Sequence, residues 1–581
     1  MDTNNEIIYL KIKTQKVQSF IFKVPKLKAM LGANSLLGEF FAVDLPGLRK
    51  NYPIPQIWTD YLAAKDETYP SWGTDNINEN FKKGVICSAG GHFETFFETE
   101  TDAQKFLTEV KQKAQEIIPG VRFSFFLKEY ETLPEKFKDF DDKTKGKVIE
   151  LPKNSSQILI DNPYFYPSSE DGENPQLVKG HKGEKDSSVT LKIKEKGVEF
   201  YESETNDYLC AFLKKITGKE KYKNSFPEDL NELADISLIP QNNKIAIITI
   251  DGNAMGNRFR DERDKAKEMK TIDAMISFEK FWFEQRDTFR NALEEAIKTI
   301  AKKYEEDKES TKNFKFYNYN GKNKLPYQIL MLGGDDLLLL TVPEIAFDLV
   351  KNFGHQLEEI SKDKDKKLTV SAGIAFVKYS FPFSQAHELA ESLLSSAKVK
   401  SRIWKTAKNE KGEEYRKAEY RNALDWHIHF PTGTEEIDEI RKQNYMLQYN
   451  DKTEILTRRP CTMEEAYKVW QESKDLYDNI PKKEGENFEN SSGRNKYKGL
   501  RTLLNSGQLN AELYSKILEI NKENEIDKFQ LDIDYHPQDK SGWIKGNNAE
   551  KIDYSKITLN TALDVIELMD FHKREEDKGG E

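Results

Sequence analysis

Three aspartates and their glycine neighbours are the residues of this chain best suited to chemistry. They are Asp335 and Asp336 in Gly333-Gly334-Asp335-Asp336, and Asp251 in Ile250-Asp251-Gly252-Asn253-Ala254-Met255-Gly256. Acidic side chains gathered at one sheet edge repel each other unless a cation relieves them. Oxygen donors of this kind suit Mg²⁺ (or Mn²⁺), and two such ions would activate an attacking hydroxyl and stabilise a departing pyrophosphate. The chemistry is phosphoryl transfer, with Asp251, Asp335 and Asp336 both catalytic and metal-holding. Gly252, Asn253 and Gly256, with Gly333 and Gly334, would bring backbone N–H groups to a nucleoside triphosphate such as ATP. Lys398, Lys400 and Arg402 are candidates for neutralising phosphate charge; the competing reading of these three is a solvated basic face.

The elements that must position these residues are legible as apolar runs. Residues 327–332 and 337–342 flank the GGDD run and read as two strands joined by a tight glycine turn, in which positive φ is tolerated. Residues 244–250 form another strand, closed by Asp251. A helix around 273–304 follows, with Phe278, Phe281, Trp282 and Phe289 as its expected buried side. Then come a helix over 343–361, a strand over 368–376 and a helix over 386–402. The first segment shows the same β-α-β-β-α-β plan: a strand over 7–13, a helix over 25–41, a hairpin around Gly90-Gly91, a helix over 101–118 capped by Thr101, and a strand over 121–127. Where the later copy has GGDD, the earlier has Gly90-Gly91-His92-Phe93 and so lacks metal-holding acids.

The expected fold class is therefore α+β. Two ferredoxin-like (βαββαβ) palm domains, the second active, are joined by a mixed insert and followed by a helical C-terminal domain. The boundaries read as 1–135, 136–240, 241–430 and 431–581, in keeping with roughly three or four domains for 581 residues. Ser168–Ser188 reads as a loop or linker, and Lys573–Glu581 as a charged tail. Cys87, Cys210 and Cys461 are scattered, which predicts neither a disulfide framework nor a zinc knuckle. His427 and His429 form one close pair, better read as core or surface histidines than as metal ligands. No apolar run is long enough to span a bilayer, so no membrane partner and a cytoplasmic location are expected. The net charge of −10 argues against nucleic-acid binding over the whole surface, and leaves room for a local basic groove.

The strand-Asp-Gly-Asn-x-Met-Gly motif, the GGDD hairpin, Ser371-Ala372-Gly373-Ile374 and the closing Leu393-Leu394-x-x-Ala397-Lys398 helix resemble the second palm of the type III CRISPR large subunit. That is the Cas-ten family, Cmr-two in its III-B branch. Gln18–Phe22, Leu31–Leu37 and Ser88–Phe93 resemble the family's first, inactive palm. The resemblance implies ATP and Mg²⁺ as cofactors. It implies the other subunits of a type III ribonucleoprotein, guide RNA and target RNA as partners. The product would be an adenylate second messenger, either a cyclic oligoadenylate or AMP joined to S-adenosylmethionine.

Two departures from the family follow. No His-Asp dipeptide occurs, so single-stranded DNA cleavage is not expected. The four-cysteine zinc ribbon found in many members is replaced by Asn162–Ser169, so no zinc is expected. Two other functions stay open: a catalytically idle scaffold within the RNA-guided complex, and a free-standing GGDEF-like cyclic dinucleotide synthase. Against the last, Leu337 stands where a phenylalanine would follow the acids.

Overall fold

Alternation along the first strand, with Ile8, Leu10 and Ile12 fully buried, sets one face of an antiparallel sheet against the helices that cover it. The computed structural model describes residues 7–63, 71, 73, 75–149, 187–222, 225–239, 243–305, 317–319, 322–362, 367–408, 414–429, 436–449, 452–479, 501, 557–559 and 562–572. Readings that fall on Asn162–Ser169, on most of Ser168–Ser188 and on Lys573–Glu581 lie outside them. The chain divides into two compact units, neither contiguous in sequence. One holds 1–229, 254–291 and 330–335; the other holds 230–253, 292–329 and 336–581.

The first unit contains β1 (Ile7–Gln15), β2 (Val85–Ala89), β3 (His92–Phe97), β4 (Arg122–Tyr130) and β5 (Lys147–Val148), in the order β2-β3-β1-β4-β5. Gly90 and Gly91 turn from β2 to β3 with φ of 59° and 75°, the doubly left-handed geometry of a two-residue hairpin. The helix Glu100–Ile117 buries Ala103, Phe106, Leu107, Val110 and Ala114 at helical spacing. Its cap is Thr99, not Thr101. Thr99 is extended, and its hydroxyl accepts from the Asp102 N–H at 3.1 Å, whereas Thr101 lies inside the first turn. The helix expected over 25–41 runs Leu27–Glu39 and passes into a π turn, Phe40–Asp44.

The helix Thr271–Glu305 corrects the expected buried side. Phe289 is buried, but Phe278, Phe281 and Trp282 are only half-buried, while Glu279, Arg286 and Arg290 are enclosed. Asp75 accepts from Arg290 at 2.6 Å and from Arg286 at 3.3 Å, and Arg286 also donates to Glu279 at 3.0 Å. Burial alone would raise the Asp75 carboxyl; the two guanidiniums bring it below its usual value.

The later strands start at β6 (Lys244–Gly252). A short ribbon follows, β7 (Tyr317–Tyr319) with β8 (Lys322–Lys324), and then β9 (Tyr327–Leu332), β10 (Asp336–Thr341) and β11 (Val370–Lys378). Next come β12 (Arg402–Lys408), β13 (Glu414–Tyr420) and β14 (Ala423–Ile428), then β15 (Met446–Tyr449), β16 (Lys452–Ile455), β17 (Cys461–Thr462) and β18 (Ile557–Leu559). The main sheet runs β17-β14-β11-β6-β10-β9, with β6 antiparallel to both neighbours. Strands β6, β10 and β11 are buried almost throughout, which explains why they read as continuous apolar runs.

Past residue 430 the described residues are not only helical as expected. Helices Ile437–Tyr445, Met463–Asn479 and Ala562–Leu568 accompany a sheet of β15, β16 and β18. Arg459, enclosed there among buried apolar side chains such as Leu456, Val469, Leu563 and Leu568, reaches Asp564 at 3.0 Å and Glu567 at 3.4 Å, so this core carries charge pairs within it. Among the described residues no helix is long and apolar enough to cross a membrane.

Candidate active site at the GGDD hairpin

Register decides which acids meet. Asp336, the first residue of β10, lies directly opposite Asp251 near the end of β6, and Ser371 of β11 lies opposite Asp251 on the other side. Directly opposed residues on antiparallel strands project to the same face, so two carboxylates stand next to each other, an unfavourable pairing of about 0.2–1 kcal/mol. Part of the relief comes from Lys398, whose ammonium reaches Asp251 Oδ2 at 2.6 Å. The pair is partly exposed, so it contributes only about 0–1 kcal/mol by itself.

Lys398 is delivered by the helix Phe383–Ser401, and that helix lies unusually close to the sheet. A side chain at Gly373 of β11 would collide with the Ala390 carbonyl and the Leu394 N–H, and Thr249 of β6 donates to the same Ala390 carbonyl at 3.0 Å. Only glycine at 373 permits that approach. The same helix contributes Glu391, two turns before Lys398, which the reading of motifs missed. Burial raises the Glu391 carboxyl; the Lys398 charge opposes this and the Asp251 charge adds to it. Residues 391 and 398 share a helix face, but only the packing of that face against β6 and β11 puts Glu391 near the acids. His387, one turn earlier, stands 3.7 Å from Glu391, and burial pushes its pKa down to about 4.

The loop after Asp251 is braced rather than open. The Asn253 N–H donates to the Thr369 carbonyl at 2.8 Å. Its side-chain amide donates to Thr369 Oγ1 and to the Arg421 carbonyl, both at 3.1 Å, and accepts from Ser371 Oγ at 2.7 Å. Asn253 therefore braces this loop, and its N–H is not turned to a phosphate. The left-handed residue of the loop is Ala254, with φ of 59°, rather than a glycine; such a conformation costs an alanine roughly 1–2 kcal/mol. Gly252 is buried, and Gly256 is exposed in the first turn of the helix Met255–Ala266.

The turn between β9 and β10 also differs from expectation. Three residues, Gly333, Gly334 and Asp335, make it, and neither glycine has left-handed φ. A Cβ on Gly334 would touch the Trp282 ring at 3.5 Å and Arg286 Cγ at 3.6 Å. Asp335 precedes Asp336 by one peptide bond and is half-buried. Among the described residues no group of three or more His, Cys, Asp or Glu stands ready to hold an ion. The carboxylates brought together are Asp251 and Asp336, with the ammonium of Lys398.

Lys400 and Arg402 are placed elsewhere. Burial would raise the Glu465 carboxyl, but hydrogen bonds from Thr462 and the nearby Lys400 charge bring it below its usual value. Arg402 opens β12 and lies over the rings of Trp404 and Tyr420 at 5.8 and 5.9 Å. His427 is enclosed in β14, and His429 packs against Phe381 with ring centroids 4.2 Å apart.

Residues 244–407 match the family model described as Cas10/Cmr2, second palm domain. That stretch is similar to a Cas10/Cmr2 second palm. The family named from the GGDD hairpin and the Asp251 loop is thereby borne out. No curated protein matches the chain. Among solved structures, a Csm1-Csm4 cassette in complex with pppApA aligns at 10% identity and a TM-score of 0.44, over 98% of this chain and 70% of that one. Csm1 in T.onnurineus aligns at 12% identity and 0.46, over 98% and 70%. A Csm1-Csm4 cassette in complex with one ATP aligns at 10% and 0.45, again over 98% and 70%.

Proposed function

We propose that this chain is the catalytic large subunit of a type III, III-B-like RNA-guided complex. It would use ATP to make an adenylate second messenger when target RNA binds. Its two βαββαβ units would be the paired palms, the GGDD one active. One observation carries the reading: Asp336 directly opposite Asp251 beside Lys398, inside the stretch that matches the Cas10/Cmr2 second palm.

The donor set fits a divalent cation, since adjacent carboxylates are oxygen ligands that gain from a positive charge between them. Asp251 and Asp336 would hold it, with Asp335 next in the chain. Mg²⁺ (or Mn²⁺) would there lower the pKa of an attacking hydroxyl and offset charge on the leaving group. The acceptor oxygen forms a bond to the α-phosphorus of ATP as the bond to pyrophosphate breaks. Lys398, released from Asp251, would bind phosphate oxygen. Gly256, in the first turn of its helix, would offer a free N–H. Glu391, its carboxyl raised by burial and by the Asp251 charge, would stand beside the acids. The acceptor is a second adenylate or S-adenosylmethionine. Guide RNA, target RNA and the smaller subunits are the proposed partners.

A second reading, an idle scaffold, is favoured by the ion pair between Lys398 and Asp251 and by the lack of a three-acid group among the described residues. Labelled ATP separates the two. The assembled complex with Mg²⁺ and target RNA should yield product, and parallel reactions with and without S-adenosylmethionine identify the acceptor. Asp251→Asn and the double change Asp335→Ala/Asp336→Ala should each reduce it by about 100-fold or more. Product formation unchanged by both variants would remove the proposed site; no product from the unaltered complex would leave the scaffold.

A further inference from the structure

The ribbon formed by β12 and β13 takes no part in the chemistry above, yet its composition is unlike the rest of the chain. Its two strands carry five basic residues, Arg402, Lys405, Lys408, Arg416 and Lys417, against Glu414 and Glu419, in a protein whose net charge is −10. Trp404 is 57% exposed, more than any other large hydrophobic side chain among the described residues. An indole left in water on a basic ribbon calls for a ligand that is both aromatic and anionic.

The register sorts these residues by face. Arg402 pairs with Tyr420, Trp404 with Ala418 and Thr406 with Arg416, so all six share one side. The small Ala418 stands opposite the indole, which stays 57% exposed although Arg402 lies over one side of it. Arg402 lies 5.8 Å from the Trp404 ring centre and 5.9 Å from that of Tyr420, flanking a stacking platform with positive charge. Arg416 is exposed about 13 Å further along the ribbon, four residues of strand away. On the opposite side Glu419 is tied to Lys405 at 2.6 Å, and Lys417 adds a further positive charge. The acid nearest the platform is therefore both turned away and neutralised.

We infer that this face of the ribbon binds single-stranded nucleic acid, with a base stacked on Trp404 and phosphates on Arg402 and Arg416. A protein partner is disfavoured because the exposed apolar surface is a single ring between guanidiniums rather than a continuous patch. The inference does not depend on nucleotidyl transfer, because binding is read without ATP.

The test uses the full chain and a fluorescently labelled 20-nucleotide single-stranded uridine RNA, with the matching DNA as a parallel arm, followed by anisotropy between about 50 and 200 mM salt. Trp404→Ala should weaken binding on the order of tenfold or more, and Trp404→Phe should retain most of it. Arg402→Glu/Arg416→Glu should reduce the slope of log affinity against log salt by about 1.4, as two phosphate contacts are lost. Unchanged melting temperatures, expected for exposed positions, show that these variants fold. Preference for the RNA or the DNA arm names the natural strand. Wild-type affinity in both variants, or no binding by the unaltered chain at the lowest salt, overturns the inference. So does loss of association with partner subunits while RNA binding is kept, which would make the face a protein contact.

Discussion

At the scale of single residues, the candidate site sets apart what assists chemistry from what assists folding. Two carboxylates facing each other across β6 and β10 are a cost to the folded chain unless something positive lies between them. Lys398 supplies part of that charge, so Asp336→Asn should change thermal stability by no more than about 1 kcal/mol in metal-free buffer while abolishing product; labelled ATP and melting curves measure the two. The aspartates were legible because they stand at the ends of apolar runs beside glycine. Glu391 and His387 were not, since acidic and imidazole side chains inside an amphipathic helix carry no local mark of what the helix is laid against. Asn253 was legible as a loop residue but not as a brace, because Thr369, Ser371 and Arg421 reach it from more than a hundred residues away.

At the scale of elements, the placement of Lys398 depends on the close contact between the helix Phe383–Ser401 and β11. Gly373→Ala inserts a methyl group where the Ala390 carbonyl already lies, so the helix must move away. We expect a loss of about 1–3 kcal/mol, the usual penalty of overpacking, with faster amide exchange in that helix and reduced ATP turnover. Melting curves and hydrogen exchange check both. Strands β6, β10 and β11 were readable from the sequence because they are buried on both faces. The long helix Thr271–Glu305 was misread for the opposite reason: its enclosed side holds Glu279, Arg286 and Arg290, which pattern assigns to water. Asp75, the partner that makes this possible, lies about two hundred positions earlier. Asp75→Ala should cost about 3–5 kcal/mol, because it leaves two enclosed guanidiniums short of their counter-charge, and denaturant titration measures it.

At the scale of the whole molecule, buried titratable groups set the response to acid. Burial lowers His387 to about 4 and His572 to about 3, and His427 also falls well below its usual value. The unfolded chain binds these protons near pH 6.5, whereas the folded chain does not. Stability should therefore decline as pH falls below about 6.5, by up to about 1.4 kcal/mol per pH unit for each histidine. Glu391, raised in the fold, works in the opposite sense: stability falls as pH rises from about 4.5 through its raised folded value, and the loss persists above it. Asp75, lowered in the fold, contributes stability that disappears only as pH falls below its usual range. Urea titrations between pH 7 and pH 4 test this, and His387→Gln with His572→Gln should flatten the curve. The chain also crosses between its two compact units several times, lending residues 254–291 and 330–335 to the unit that begins at the N-terminus. A gene bisected near codon 240 would thus give two polypeptides, each missing pieces carried by the other. They should yield native protein only when co-expressed, as complementing fragments.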